Sequence, residues 1–177
     1  MKIAILGYAG SGKSTLARAL GELYGVPVLH LDTVQFMPDW KERPKDEQLE
    51  IVQRFMDEND GWVIDGNYSN LLQPRRLEEA DKVVFLHFNR LAALWRVTKR
   101  YFRYRGKSRP DMADGCSEKL DAEFIAWVLW RGRTKQKRSA FKQKQKTCGA
   151  KGVVLKNQRQ IDRWLDEERS KTHAGSL

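Results

Sequence analysis

The chain has 177 residues, enough for one domain with a full hydrophobic core and little room for a second. Hydrophobic residues make up 41% of it, a globular composition that excludes an intrinsically disordered protein. The net charge of +10 is uneven: residues 1–89 carry ten Lys and Arg against fourteen Asp and Glu (−4), and residues 90–177 carry twenty-three against nine (+14). We expect this basic second half to face phosphates of a nucleotide, of nucleic acid, or of both.

Two features predict a soluble, cytoplasmic protein. The amino terminus lacks the long apolar core of a signal peptide, and the densest apolar run, residues 124–130, is too short to cross a bilayer. Cys116 and Cys148 have no CxxC spacing and no neighbouring His, so we expect reduced thiols.

Short apolar runs alternate with amphipathic helices along the chain, which predicts a parallel sheet covered on both faces. The predicted strands are 2–6, 26–31, 62–64, 82–88 and 153–155, and the predicted helices are 14–24, 46–58, 91–104, 120 or 121 to about 139, and 160–168. Residues 90–150 are too long for one crossover helix and indicate an inserted helical lid with a loop at 105–118. We therefore predict one domain over 1–169, with the lid at about 90–150 and a disordered tail at 170–177.

The first predicted strand runs into Gly7-Tyr-Ala-Gly-Ser-Gly-Lys13-Ser14, which matches the phosphate-loop pattern G-x-x-x-x-G-K-[ST] without deviation. Glycines let successive backbone N–H groups turn toward phosphates, and the following helix presents its positive end to them. Lys13 is predicted to be catalytic by bringing its positive charge to the β- and γ-phosphates, and Ser14 is predicted to offer its hydroxyl to Mg²⁺. The predicted nucleotide contacts in this segment are Gly7, Gly10, Ser11, Gly12, Lys13, Ser14 and Thr15.

The nucleotide is predicted to be ATP, because no Asn in the chain is followed by Lys and the guanine-reading Asn-Lys-x-Asp is absent. In a protein of this size, a phosphate loop favours phosphoryl transfer to a small acceptor, in which positioning and charge neutralisation carry the catalysis.

Two acids follow predicted strands and should lie beside the phosphate loop at the carboxyl edge of the sheet. Asp65 is predicted to hold Mg²⁺ directly or through water, and Asp32 to orient or deprotonate an acceptor hydroxyl. The alternative is that either residue only forms a turn or caps a helix.

The helix after the fourth strand is rich in arginine, and Arg96 and Arg100 are predicted to stabilise charge on the transferring phosphoryl group. Most other basic residues there are expected to be a solvated face. A nucleotide-dependent nucleic-acid-binding protein is the alternative function, since basic residues alternate with Trp and other aromatic residues. The helical spacing of several of these aromatics predicts that they belong to the core instead.

The phosphate loop, HLDTVQFMPDW, WVIDGNYS, ADKVVFLHFNR and RGKSRPDMADGC together resemble the bacterial DNA topology modulation proteins, relatives of adenylate and shikimate kinases. The resemblance covers about residues 1–165. It implies a three-layer α/β/α P-loop fold similar to that of nucleoside monophosphate kinases, with a five-stranded parallel sheet of order 2-3-1-4-5 and an Arg-rich lid. The family name also implies an effect on DNA topology.

The resemblance further implies site residues. Asp32 and Trp40 would belong to the acceptor region, as would Gly66 and Asn67, and either Arg75 or Arg76 would approach the acceptor. Asn157 would lie close to the adenine. The Asp-Gly-Phe-Pro-Arg segment of adenylate kinases is replaced here by Asp-Gly-Asn-Tyr-Ser, which disfavours AMP as the acceptor.

Overall fold

A parallel five-stranded sheet forms the centre of this computed structural model, which describes residues 1–105, 112, 115–116 and 120–174. The strands are β1 (Lys2–Gly7), β2 (Val28–His30), β3 (Phe36–Met37), β4 (Lys41–Glu42), β5 (Trp62–Asp65), β6 (Lys82–Leu86) and β7 (Gly152–Leu155). The large sheet has the order β2-β5-β1-β6-β7, and all of its neighbouring pairs are parallel. Among the five long strands this is the predicted order 2-3-1-4-5, so the predicted fold class is confirmed.

The helices are α1 (Lys13–Tyr24), α2 (Leu31–Gln35), α3 (Lys45–Glu58), α4 (Gln73–Glu79), α5 (Arg90–Tyr104), α6 (Ala122–Leu129), α7 (Lys135–Cys148) and α8 (Gln158–Ala174). Most of the predicted loop at 105–118 lies outside the described residues, as do residues 175–177 of the predicted tail.

The two layers of helices explain why the central strands have no polar alternation. In β1, Ile3 and Ile5 pack in one core cluster, and Ala4 and Leu6 pack in the other, because successive side chains of a strand point to opposite faces. One cluster includes residues of α1 and α8, and the other includes residues of α2, α3 and α7. Both faces of the sheet are therefore buried, as expected for a parallel sheet.

Three regions of the chain differ from the sequence-based predictions. The segment between β2 and α3, for which no element was predicted, contains α2 and the antiparallel hairpin of β3 and β4, and α4 was not predicted either. The predicted long helix near 120–139 is broken into α6 and α7 by a 3₁₀ turn at Arg131–Arg133. The break follows from local sequence, since the hydroxyl of Thr134 accepts a hydrogen bond from the N–H of Lys137 and so begins a new helix.

The tail prediction is corrected at its start, because α8 continues to Ala174 rather than ending near 169. The hydroxyl of Thr172 donates to the carbonyls of Glu168 and Arg169, and Lys171 pairs with the buried Glu168. These contacts extend the helix beyond the last apolar residue of its packed face.

Helix α7 is a layer of the domain, although it falls within the predicted lid at 90–150. Phe141 and Cys148 are buried in the core cluster of that face. Helices α5 and α6 instead pack on each other through Ala93, Val97 and Val128, with Ala9 of the phosphate loop against them. The lid itself stays a prediction.

Candidate active site

The predicted phosphate loop joins the end of β1 to α1 and has the backbone that its glycines allow. Gly10 and Gly12 have φ angles of 74° and 91°, values that favour glycine, and the N–H of Ser11 donates to the carbonyl of Tyr8 at 3.1 Å. A side chain at Gly10 would lie 2.6 Å from the carbonyl oxygen of Ala93 in α5. The loop therefore fits tightly under α5. Of the remaining predicted contacts, Lys13, Ser14 and Thr15 are in the first turn of α1.

Asn67 fixes the start of this loop. Its side-chain oxygen accepts from the N–H of Gly7 at 3.0 Å, and its Nδ2 donates to the carbonyl of Gly7 at 2.7 Å. Gly66, the neighbouring residue, donates its N–H to the carbonyl of Ile5. The structure thus brings these predicted acceptor residues to the phosphate loop, where Asn67 acts on the backbone.

Asp65 is the residue that most clearly matches its predicted place. It ends β5, is 4% exposed, and its Oδ2 lies 3.1 Å from the hydroxyl of Ser14. Its other oxygen pairs with Nδ1 of His30, the last residue of β2. A carboxylate and a hydroxyl that meet beside a phosphate loop provide the hard oxygen ligands that suit Mg²⁺. His30 is thus hydrogen-bonded at the edge of the sheet.

Asp32 lies in the first turn of α2, directly after β2, and accepts a hydrogen bond of 2.7 Å from the hydroxyl of Tyr68. Burial raises the pKa of Tyr68, and the adjacent carboxylate of Asp32 raises it further, so the phenol stays a proton donor. Trp40 packs edge-on against Phe36 with ring centroids 5.3 Å apart. Tyr68 and Asp32 lie close to Asp65, whose charge also raises the pKa of Tyr68.

Arg76 requires a correction, because it does not face an acceptor. It is fully buried, and its guanidinium donates to the backbone carbonyls of Leu71, Tyr68 and Gly66. Burial lowers the pKa of Arg76 to about 10, opposed by the charge of Asp65. Its role is to hold the segment that carries Asn67 and Tyr68.

Arg96 reaches the phosphate loop from the other face of the sheet. Its guanidinium donates to the carbonyl of Ser11 at 3.1 Å and to Oε1 of Gln158 at 2.6 Å, and it stacks over the ring of Phe88. Burial lowers the pKa of Arg96, while Asp162 raises it. Arg100 follows one turn later on α5 and is half-buried.

A cavity of about 70 Å³ opens beside Arg96. It is lined by Gly12, Thr15, Leu16, Ala19, Arg96, Gln158, Ile161 and Leu165. Asn157, predicted to lie near adenine, is adjacent to the lining residue Gln158, and its side chain caps α8 by accepting from the N–H of Gln160.

Sequence reasoning missed three residues at this edge. Tyr68 lies inside the WVIDGNYS segment, so its position next to Asp65 could have marked it. Gln158 carries no sequence signal. Arg133 is one of a dozen basic residues in its region, and only the structure shows that it is 5% exposed and stacked over Tyr8.

The described residues set limits on the chemistry of this site. They contain no group of three or more His, Cys, Asp or Glu side chains arranged to hold a metal ion, so a metal here would depend on the ligands of a nucleotide as well. In the same part of the chain, no helix has the length and apolar character to cross a membrane.

Solved structures share this fold across nearly the whole chain. Shikimate kinase from Acinetobacter baumannii, in complex with shikimate, matches with a TM-score of 0.61 and 19% identity over 99% of this chain and 94% of its own. Shikimate kinase from Bacteroides thetaiotaomicron matches with a TM-score of 0.54 and 16% identity over 98% of both chains. Deoxyadenosine kinase from M. mycoides, with the products dCMP and dCDP, matches with a TM-score of 0.51 and 14% identity over 96% of this chain and 100% of its own.

These similarities show the fold of P-loop kinases, a nucleotide-binding fold. No curated protein sequence matches the chain. A protein-family profile described as AAA domain matches residues 3–125. Since that match spans more than half of the 177 residues, the protein belongs to the AAA domain family.

Proposed function

We propose that this protein is a phosphotransferase that transfers the γ-phosphoryl group of ATP, bound with Mg²⁺, to a small acceptor. The observation that carries the proposal is the contact between Ser14 and Asp65, 3.1 Å apart at the phosphate loop. A magnesium ion there would neutralise charge on the β- and γ-phosphates. Lys13 of the same loop would add a positive charge to the transferring group.

The nucleotide fits on the side of the phosphate loop that Arg96 occupies. The hydroxyl of Ser11 is buried without a hydrogen-bond partner among the described residues, so the interior of the loop holds a polar group that a phosphate oxygen would satisfy. The cavity between α1 and α8 starts at Gly12 and Thr15 and is closed by the hydrogen bond of Arg96 to Gln158. At about 70 Å³ the cavity is too small to enclose a nucleoside, so we place the base of the nucleotide at its mouth, beside Gln158 and the adjacent Asn157.

The acceptor fits on the opposite side, where Asp32 and Tyr68 lie beside Asp65. A carboxylate that already accepts one hydrogen bond from Tyr68 would orient an acceptor hydroxyl and receive its proton. Two of the similar folds act on small molecules, since one was solved with shikimate and another with dCMP and dCDP. This supports a small hydroxyl-bearing acceptor, with Trp40 and Gly66 near it.

Replacement of Lys13 by Ala tests the proposal. We expect at least a hundredfold loss of ATP turnover, measured as ADP release against a panel of metabolites and nucleotides, because the γ-phosphoryl group loses its cation. Lys45→Ala, at the exposed start of α3, is the matched control and should keep wild-type turnover. Equal turnover in wild type and Lys13→Ala would refute the proposal.

A second candidate function is binding of single-stranded nucleic acid, favoured by aromatic residues that the sequence had assigned to the core. The exposed fractions are 68% for Trp95, 68% for Phe102, 45% for Trp127 and 59% for Trp130. Exposed aromatic rings between basic side chains provide stacking platforms for bases. This candidate agrees with the resemblance to DNA topology modulation proteins, which stays a prediction.

Titration of a fluorescent single-stranded oligonucleotide at several salt concentrations separates the two candidates. Stacking on Trp95 requires that Trp95→Ala weaken binding about tenfold at physiological salt. If binding disappears at physiological salt, or if wild type and Trp95→Ala bind equally well, the interaction is only non-specific attraction to the basic second half of the chain.

A further inference from the structure

Arg133 is a buried cation with unused hydrogen-bonding capacity. It lies in the 3₁₀ turn between α6 and α7, is 5% exposed, and donates through Nη1 to the carbonyl of Phe88. Its Nε and Nη2 are buried and have no hydrogen-bond partner among the described residues. Leaving such donors unpaired is costly, so they mark a place where an acceptor atom belongs.

Tyr8, which contacts Arg133, also has a buried polar group without a hydrogen-bond partner among the described residues. The guanidinium carbon lies 4.3 Å from the ring centroid of Tyr8, a phosphate-loop residue that is 6% exposed. The hydroxyl of Tyr8 is also buried without a partner in the described part of the chain. One anionic group that reached the free edge of the guanidinium and the phenol hydroxyl would accept from both side chains.

The surroundings are cationic. Burial lowers the pKa of His87, whose ring centroid is 5.5 Å from that of Tyr8, and four positive side chains lower it further. They are Arg133, Lys156, Lys142 and Arg138. Arg90 acts on Arg133 in the same direction. A concentration of like charge around a buried arginine favours an anion in the site.

The position of the cluster relative to the sheet distinguishes it from the nucleotide side. Tyr8 stacks on Phe141, which packs in the same core cluster as Leu31 and Leu71, the cluster of α2 and of the segment that holds Tyr68. Arg96 stacks instead on the ring of Phe88, which belongs to the cluster of α1 and α8, whereas Arg133 meets Phe88 at its backbone carbonyl. The two arginines therefore approach the phosphate loop from opposite sides.

We propose that Arg133 and Tyr8 form an anion subsite on the acceptor side, so that the phosphate acceptor already carries a phosphate or carboxylate group. The guanidinium would bind that group through Nε and Nη2, and the phenol would donate a third hydrogen bond. The identification of the bound molecule as a phosphate acceptor rests on the proposed function. The anion subsite itself does not depend on that function.

Phosphate binding measures the subsite directly. Inorganic phosphate is titrated by calorimetry into protein saturated with Mg²⁺ and a non-hydrolysable ATP analogue, which fills the phosphate loop. We expect one further phosphate site, weakened at least tenfold in Arg133→Met and about threefold in Tyr8→Phe. Arg131→Met is the matched control two residues away, because Arg131 is exposed and its ion pair with Glu123 is at the surface; it should bind phosphate like the wild type.

Tyr8→Phe keeps the ring that packs against Phe141, so this variant stays informative if Arg133→Met is unfolded. Absence of a further phosphate site, or equal phosphate affinity in wild type and Tyr8→Phe, overturns the proposal. Acetate titrated in the same way separates the sources: tighter binding of phosphate indicates a phosphorylated acceptor, and tighter binding of acetate a carboxylate.

The two proposals fail independently. If Lys13→Ala keeps full ATP turnover while Arg133→Met loses the phosphate site, the phosphotransferase is wrong and the subsite stands. If Lys13→Ala abolishes turnover while Arg133→Met binds phosphate normally, the subsite is wrong and the phosphotransferase stands.

Discussion

Asn67 connects the ends of β1 and β5 through two hydrogen bonds to the backbone of Gly7. Its amide both accepts from and donates to that one residue, which no Asp or Ser side chain can reproduce with the same geometry. The carboxyl end of β5, with Asp65, is thereby held next to the first residue of the phosphate loop.

Asn67→Ala should lower the free energy of unfolding by about 1–2 kcal/mol, the net value of two hydrogen bonds, and weaken ATP binding several-fold because the start of the loop is released. Urea denaturation and calorimetric titration measure the two effects. Asn70→Ala, at an exposed position of the same segment, should change stability by less than about 0.5 kcal/mol. Similar losses in both variants would contradict the role of Asn67.

Arg75 and Arg76 are neighbours in α4 with opposite environments. Arg75 pairs with Asp57 and Glu79 at the surface, whereas Arg76 is fully buried against three backbone carbonyls. Surface ion pairs contribute little to stability, but buried carbonyls that lose their donor are costly.

Arg76→Met should therefore lower the free energy of unfolding by about 3 kcal/mol or more, and Arg75→Met by less than about 1 kcal/mol. Chemical denaturation measures the free energy of unfolding of both variants. Each variant loses one positive charge, so each controls for that loss in the other. A smaller loss in Arg76→Met than in Arg75→Met would show that the carbonyls do not depend on this side chain.

At the scale of elements, α8 is tied to the rest of the domain by Glu168. Its carboxylate is 1% exposed and accepts from Tyr24 of α1, Lys82 of β6 and Lys171 of its own helix. Burial raises the pKa of Glu168, but these donors outweigh that effect and lower it to about 2. Because the folded pKa is below the ordinary value, the stabilisation is complete above about pH 5 and is lost as the pH falls toward 2.

Glu168→Gln should remove part of this acid sensitivity. We expect wild-type stability to fall by on the order of 2 kcal/mol more than that of the variant between pH 7 and pH 3. Thermal unfolding followed by circular dichroism over this range measures the difference, and Glu167→Gln, at the exposed neighbouring position, should retain the wild-type slope. Parallel pH profiles for wild type and Glu168→Gln would show that Glu168 does not control the acid limb.

At the scale of the whole molecule, the candidate site is assembled from elements distant in sequence. The phosphate loop, Asp65, Arg96 and Gln158 come from β1, β5, α5 and α8, and they meet only in the folded chain. A ligand that bridges these elements stabilises the native state by its binding free energy.

Mg²⁺-ATP at a hundred times its dissociation constant should therefore raise the free energy of unfolding by about 2.7 kcal/mol. Differential scanning calorimetry measures this shift, and Lys13→Ala should show a much smaller one at the same ATP concentration. A shift of equal size with Mg²⁺-GTP would contradict the assignment of the nucleotide.

Much of the fold was predictable because both signals it needs are local. Apolar strands alternating with amphipathic helices indicate a parallel sheet, and the spacing of Gly7, Gly12 and Lys13 indicates the phosphate loop. Helix α4 and the hairpin of β3 and β4 were missed because they are short, and α6 and α7 were merged because Gly132 lies in a run of helix-forming residues.

The sequence by itself determined the strands, the phosphate loop and the acid after the third long strand, since each depends on neighbours in the chain, whereas the order of the strands was implied only by the family resemblance. Only the tertiary structure decided which basic residues serve the site. Arg76, Arg96 and Arg133 carry the same group, yet the first is enclosed by backbone carbonyls, the second joins the loop to α8, and the third lies over Tyr8 with donors unpaired in the described chain. Packing against distant elements sets these differences, and no local pattern encodes them.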